Sequence, residues 1–391
     1  MKYAARLLAV IVLALFLPYG YSTSHAAERI KISMTPDRWK TEGGAEFVKH
    51  KGFDSLSLKP GDYAAHIKAG QGVPNDISFR NGTIEFDVDP LGSMGTGIAF
   101  RQSDDKSFGY FYFRPRPKCS EAVDCIQYAP NTHGVLLWDL FPQYQAPAPL
   151  IEGEWNHIKL VISGQRMNVF VNGSSTAAQT PTLKVGSLEG DTLEGGLVFQ
   201  GPGFFANVVL TPDAVEGLAA EPEQDPTTAD ARYVRNWQLS PFSELAADKQ
   251  PAAADLPASS AAWLPIAAER YGLVDISRQY GLPVRQSGWS LAWLKTSIAS
   301  EKNQTKKVSI GWTREVWVFV NGQQVFADKN LYQPPAARKT PDGRCSLENG
   351  SFDLPLKAGD NVITVALADN FYGWGLILRL DDLNGVQLAK K

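Results

Sequence analysis

The chain is short of the groups on which most enzyme sites depend. It has 5 histidines and 3 cysteines in 391 residues. The histidines are His25, His50, His66, His133 and His157, and no two stand at a metal-ligand spacing such as H-E-x-x-H. A Gly-x-Ser-x-Gly elbow and a P-loop are both missing, which removes the commonest serine-hydrolase and nucleotide-binding readings. Net charge is only −3, so no excess of one sign points to nucleic acid or to an anionic membrane surface. Long helical periods are scarce. No second apolar run follows the first seventeen residues, so no membrane-spanning helix is expected in the mature chain.

What the chain does have is punctuation and alternation. Its 34 glycines and 25 prolines separate many short segments in which apolar and polar residues alternate, the period of half-buried strands. The plainest is Glu154 to Gly173, EWNHIKLVISGQRMNVFVNG. Ile158, Leu160 and Ile162 alternate with His157, Lys159 and Val161. Ser163 to Arg166 form the turn, and Met167, Val169 and Val171 resume the period. Asn172-Gly173 ends the second strand with a dipeptide suited to positive φ. Residues 318–322 repeat the V-F-V-N-G ending. With 44% hydrophobic residues there is material for about two domains, and the pattern predicts an all-β protein of two β-sandwiches, or jelly rolls.

The first residues read as a secretory signal. Lys2 and Arg6 precede an apolar stretch from Leu7 to Leu17, and small residues near Ala26 and Ala27 suit cleavage. The expected divisions are a signal peptide over 1–27, a first sandwich over 28–212, an acidic, Ala/Pro-rich linker over 213–231 and a second sandwich over 232–391. The protein is therefore expected to be secreted or periplasmic. In such a compartment Cys119 and Cys125, six positions apart, can close a small disulfide. Cys345 is left as a buried thiol or as an exposed one able to pair between chains.

The Trp-strand-turn-strand pattern ending V-x-V-N-G resembles the late hairpin of laminin-G-like and concanavalin-A-like jelly rolls. The segments GIAFR (97–101), FYFRP (111–115), Gln127-Tyr128 and Trp138 are similar to secreted proteins related to the 3-keto-disaccharide hydrolase-like family, over about residues 79–210. That resemblance implies a sandwich fold and a saccharide-type ligand, with no catalytic set to carry over. The stretch from Leu354 to Val365, LPLKAGDNVITV, with Trp317 and the Asn321-Gly322 turn, resembles the galactose-binding-like domain appended to many glycoside hydrolases.

Parity gives candidate site residues. If Ile98, Phe100, Phe111 and Phe113 face the core, then Arg101, Tyr110, Tyr112 and Arg114 face away from it. Gln127 and Trp138, the latter on a strand predicted over residues 136–140, are expected to join them. Glu85, Asp87 and Asp89 also point outward, and would share the face if the strands are neighbours. Rings that stack on a sugar's C–H face, beside Arg and Gln that bond its hydroxyls, make a saccharide site. The expected binding face is Arg101, Tyr112, Arg114, Gln127 and Trp138, with Glu85 and Asp87 as hydroxyl acceptors. The same outward acids and arginines also suit a merely solvated, ion-paired face. Glu85 and Asp87 double as weak catalytic candidates, because same-strand carboxylates serve jelly-roll glucanases. Tyr372 and Trp374, in the segment from Asn370 to Gly375, are second-domain candidates, either as a stacking platform or as a plug of the barrel end; Tyr332 is a lesser one.

No cofactor and no metal site is assigned, though sandwiches of these kinds often hold a structural Ca²⁺, for which Asp104-Asp105 and Asp381-Asp382 have suitable chemistry. Three classes stay open: a saccharide- or polysaccharide-binding protein whose two sandwiches add avidity, a glycosidase-type hydrolase with an appended sugar-binding domain, and an extracellular protein-interaction module.

Overall fold

A computed structural model describes residues 28–389 apart from 42, 60–62, 68–77, 93–94, 174–179, 247–248 and 282–287. The predicted signal segment, 1–27, lies outside the described residues. Among the described residues the regular structure is almost wholly β, in four antiparallel sheets.

The first two sheets take their strands from Ile30–Ile32 through Gly203–Pro212. One runs Leu183–Val185, Arg166–Val171, Asn156–Ser163, Gly82–Pro90, Gly203–Pro212, Phe53–Leu58 and Glu46–His50. The other runs Val135–Leu136, Ile126–Thr132, Ser107–Phe113, Thr96–Asp104, Gly196–Gln200, Tyr63–Ile67 and Trp39–Thr41. Alternation explains the core between them. Ile84, Phe86, Val88, Ile98, Phe111, Phe113, Ile158, Leu160 and Ile162 are all fully buried in one cluster, each worth roughly 1.5–3 kcal/mol when taken out of water. The Asn156–Ser163 and Arg166–Val171 hairpin closes with Ser163 opposite Arg166, so its turn is two residues, Gly164-Gln165. Cys119 and Cys125 are joined, with Cα atoms 5.4 Å apart, and Cys345 is buried.

The other two sheets take strands from Asn236–Leu239 through Val386–Leu388. The larger centres on Trp289–Ser300, Gly359–Asp369 and Arg314–Val320; the smaller runs Leu273–Asp275, Gly375–Leu380, Gln304–Trp312 and Gly350–Leu356. Val308, Ile310, Val316, Val318, Val365 and Leu367 fill the space between. Asn321 (φ 51°) and Gly322 (φ 82°) make the tight turn into Gln323–Asn330, as the dipeptide predicts. Part of the Ala/Pro-rich loop after Leu245 lies over the outside of the larger sheet, where Leu256 and Trp263 pack with Trp293, Trp317 and Phe319.

The segment expected to be a linker has no strand or helix, yet it is tied down along its length. Ala220 O accepts from Gln165 N at 2.8 Å and Gly186 O from Glu223 N at 2.8 Å. Glu223 O accepts from Arg270 Nη1 at 2.7 Å, and Asp225 Oδ1 from Tyr271 N at 3.1 Å. It clamps the two pairs of sheets together instead of spacing them.

The centre of their contact is Asp139, fully buried. Its Oδ2 accepts from Arg314 Nη2, itself 2% exposed. Its Oδ1 accepts from Gly373 N at 3.0 Å, and its carbonyl from Cys345 N at 2.8 Å. A side chain at Gly373 would run into the Asp139 carboxylate. The expected strand over residues 136–140 is not formed beyond Leu136. Leu137 N bonds Pro130 O, and Leu140 N returns to Leu137 O, which turns Asp139 across the seam. Burial pushes the Asp139 carboxyl up to about 6, against the pull of Arg314, so the carboxyl is mostly ionised at neutral pH. Breaking a buried pair from one side strands the other charge and costs about 3–5 kcal/mol. Asp139→Ala is therefore expected to lower unfolding free energy by about that amount, read from the urea midpoint. An unchanged midpoint for Asp139→Ala would remove the pair from its role at the seam.

Candidate functional site

The outer side of the Ser107–Phe113 sheet is where parity placed the site, and four of the five expected residues do meet there. Tyr112 OH donates to Gln127 Oε1 at 2.9 Å and accepts from Arg114 Nη2. Gln127 Nε2 donates to Trp138 O at 2.6 Å. The Arg114 guanidinium lies 4.7 Å from the Tyr112 ring centre and 5.8 Å from that of Trp138.

This group is not open to solvent. Tyr112 and Arg114 are each 5% exposed, Trp138 6% and Gln127 0%, because the second pair of sheets sits on them. Tyr332 and Tyr372 meet the Trp138 ring edge-on at 5.0 and 5.9 Å. Arg344 lies 5.2 Å over the same ring, and its Nη2 reaches Asp124 Oδ2 at 3.1 Å. Burial disfavours a charged Asp124, yet Arg344, Arg114 and Arg116 together hold its carboxyl below the usual range. Burial also raises the Tyr112 phenol to about 12, so it stays a neutral donor. The aromatic and guanidinium groups read as a ligand face are used for docking.

Arg101 does not join them. Its φ of 54° sits in a register break between Phe100 and Asp104, a bulge that re-aims one side chain. Its Nε donates to Arg80 O at 2.8 Å and its Nη2 to Asn81 Oδ1 at 3.2 Å. It is 2% exposed, and burial draws its pKa down to about 10.

Glu85 and Asp87 lie on the opposite sheet, since Gly82–Pro90 pairs with Asn156–Ser163 and Gly203–Pro212. There His157 faces both: Nδ1 is 2.8 Å from Asp87 Oδ1 and Nε2 3.8 Å from Glu85 Oε1. Asn207 donates to Asp87 at 2.6 Å and Arg29 to Glu85 at 2.9 Å. The His157 bond, helped by Arg29, holds Glu85 below the ordinary carboxylate range. Asp89 lies further along, buried, between His50 and Lys51. Trp374 is 1% exposed in the second core, with its N bonded to Ser277 Oγ. It plugs the sandwich end, whereas Phe371 and Tyr372 stay exposed.

An open cleft of about 250 Å³ lies beside the seam, lined by Trp289, Arg314, Leu331, Tyr332, Gln333, Asn370 and Phe371. Its floor is Arg314, a residue with no sequence signal. Arg314 Nε and Nη2 donate to Phe371 O at 3.0 and 2.8 Å, and Nη2 also serves Asp139. The remaining nitrogen, Nη1, is buried without a hydrogen-bond partner. Other buried nitrogens share that state, Arg344 Nε and Trp374 Nε1 among them, so it is the place of Arg314 in the cleft lining that singles it out. Tyr332 joins the cleft to the seam, touching Trp138 on one side and carrying Arg338 at 4.2 Å from its ring centre. A larger groove of about 810 Å³ runs along Leu264–Ala267, lined by Gln238, Lys295, Ser297 and Val362 among others. No buried polar atom of its lining lacks a partner, so the smaller cleft is the better candidate. Among the described residues no cluster of three or more His, Cys, Asp and Glu is arranged to hold a metal.

No family model matches the chain, and no curated protein matches it. Among solved structures it is similar to the carbohydrate-binding module CBM66 from Bacillus subtilis, at 12% identity over 44% of this chain and 95% of that one, with a TM-score of 0.31. A protein of unknown function with a galectin-like fold, also from Bacillus subtilis, overlaps at 14% identity over 47% and 94%, with a TM-score of 0.32. A family 35 carbohydrate-binding module from an environmental isolate overlaps at 22% identity over 26% and 72%, with a TM-score of 0.20. Overlaps this loose transfer no function.

The two carboxylates raise the His157 pKa to about 9. Its contribution to stability is therefore full below the unperturbed pKa of about 6.5 and is lost as pH rises through about 9. An NMR titration should place the imidazole midpoint near pH 9, and His157→Gln should flatten the fall of Tm between pH 7 and 9. A midpoint near 6.5 would contradict the pairing.

Proposed function

We propose that the protein is an exported carbohydrate-binding protein whose ligand enters the cleft between Trp289, Tyr332 and Phe371. In this reading residues 28–212 form a laminin-G/concanavalin-A-like sandwich and residues 232–391 a galactose-binding-like one, joined by 213–231. The signal-like first residues support export. The observation that carries the binding role is the cleft itself, which brings the rings of Trp289, Tyr332 and Phe371 together with Arg314, Gln333 and Asn370.

The rest of the lining has the chemistry of a sugar site. Rings present apolar faces to C–H groups, while Gln333 and Asn370 supply donors and acceptors for hydroxyls. At about 250 Å³ the cleft is below the roughly 300–1,000 Å³ that enclose drug-sized ligands. It suits one sugar ring, a chain end or a side branch, with the polymer continuing past the exposed Phe371. Binding rather than hydrolysis is the better reading of the carboxylates as well. Glu85, ionised and tied to His157 and Arg29, has no proton to give a leaving group, and it faces the other way.

A glycan-array screen of the chain lacking residues 1–27 tests this. Trp289→Ala and Tyr332→Ala are expected to weaken the best hit by about threefold to tenfold each, the worth of one lost stacking contact, while His157→Gln leaves it unchanged. If no glycan is retained, or both alanine variants bind as tightly as the parent, the proposal fails.

A further inference from the structure

Resting on that reading, we infer that the sugar taken by the cleft carries a carboxylate, as a uronate does. The lining contains a guanidinium and no carboxylate. Arg314 is 2% exposed, and Asp139 sits on its Nη2 side; Asp369 lies 3.9 Å from its Nε. Nη1 makes no hydrogen bond to either.

A neutral hydroxyl would satisfy that one donor. It would leave unused the second cation, Arg338, whose Nε donates to Tyr332 O at 2.6 Å and whose guanidinium lies over the Tyr332 ring. Among the described residues no carboxylate pairs with Arg338. Asp328 is committed to Lys339 at 2.7 Å, and Asp124 to Arg344 and Arg116. Arg114, deeper in the seam, is held by Tyr112 OH and Asp124 O with no carboxylate of its own. The wall of the cleft formed by Tyr332 therefore has positive charge that the protein does not neutralise. A carboxylate on a ring stacked against Tyr332 would answer both features, since ionised acceptors bond guanidinium more strongly than neutral ones. Desolvation inside the cleft sharpens the difference.

The test compares galacturonic acid oligomers, their methyl esters and the matching neutral galactose oligomers by calorimetry, with the glucose series run alongside. The acid should bind about tenfold tighter than its methyl ester, with the advantage shrinking between 50 and 500 mM NaCl. Arg338→Gln, on the surface of the loop, should reduce the acid's advantage severalfold while leaving the urea midpoint in place. Because Arg314→Gln alone strands Asp139, the paired variant Arg314→Gln/Asp139→Asn is used, and it should erase the preference for the acid. Equal binding of acid, ester and neutral sugar overturns the charge inference and leaves the sugar-binding reading standing. Acid preference that survives both variants in folded protein overturns it too. Binding of none of the three series counts against the sugar-binding reading itself.

Discussion

One carboxylate fixes how the two halves of this protein meet. Asp139 is removed from water entirely, and an ionised group so placed is tolerated only with close partners. Arg314 and the Gly373 amide provide them from the far side of the seam, which forces several local features. The chain must leave strand geometry after Leu136, Gly373 must lack a side chain, and Arg314 must adopt a φ of 62°. The same constraint sets out the cleft. With Nη2 held by Asp139 and Phe371 O, Arg314 is fixed beside Trp289, Tyr332 and Phe371 in the wall of the cleft. A device for docking thus places a guanidinium in the cleft lining.

Docking and sugar recognition draw on the same residue types, which is why the outer face of the Ser107–Phe113 sheet suggests either. Stacked Tyr110 and Tyr112 rings, 5.0 Å apart, with Arg114, Gln127 and Trp138 beside them, would suit a sugar if they were bare. Covered, they suit an interface, where aromatic and Arg side chains are enriched for the same physical reasons. Desolvated cation–π contacts are worth about 2 kcal/mol or more each, and both Arg114 and Arg344 make them with Trp138. Burial decides between the two uses. At a few per cent exposure these groups have no surface left to offer.

What alternation governs was legible in the sequence. The core positions of Gly82–Pro90, Asn156–Ser163 and Ser107–Phe113, the Asn321-Gly322 turn and the mutual contact of Tyr112, Arg114 and Gln127 follow from a two-residue period and local turn chemistry, while Trp138 joins them from a turn and not from the strand expected over residues 136–140. Features set by distant parts of the chain were not legible. Strand neighbours depend on topology, so nothing in the sequence assigns Glu85 and Asp87 to one sheet and Tyr112 to the other. A bulge reverses parity without notice, and Arg101 is lost to the face by one. Arg314 begins an ordinary strand, and its importance exists only because Asp139, 175 positions away, turns toward it. The Trp374 side of the Asn370–Gly375 segment belongs to a core, and its Phe371 side to a cleft. A pattern of rings and glycines carries both meanings.

The tying of residues 213–231 changes what two sandwiches on one chain accomplish. A loose tether would let each find its own stretch of polymer, with a gain set by effective concentration. Here Ala220, Glu223 and Asp225 are each hydrogen-bonded to a folded strand, turn or loop, and Asp139 and Asp124 lock the seam from inside. The halves cannot separate without exposing stranded charges. For the proposed ligand this means pre-organisation: the rings and guanidinium of the cleft are already placed, so little side-chain freedom would be lost on binding. The first sandwich holds Arg314 and Tyr332 from behind, through Asp139 and Trp138.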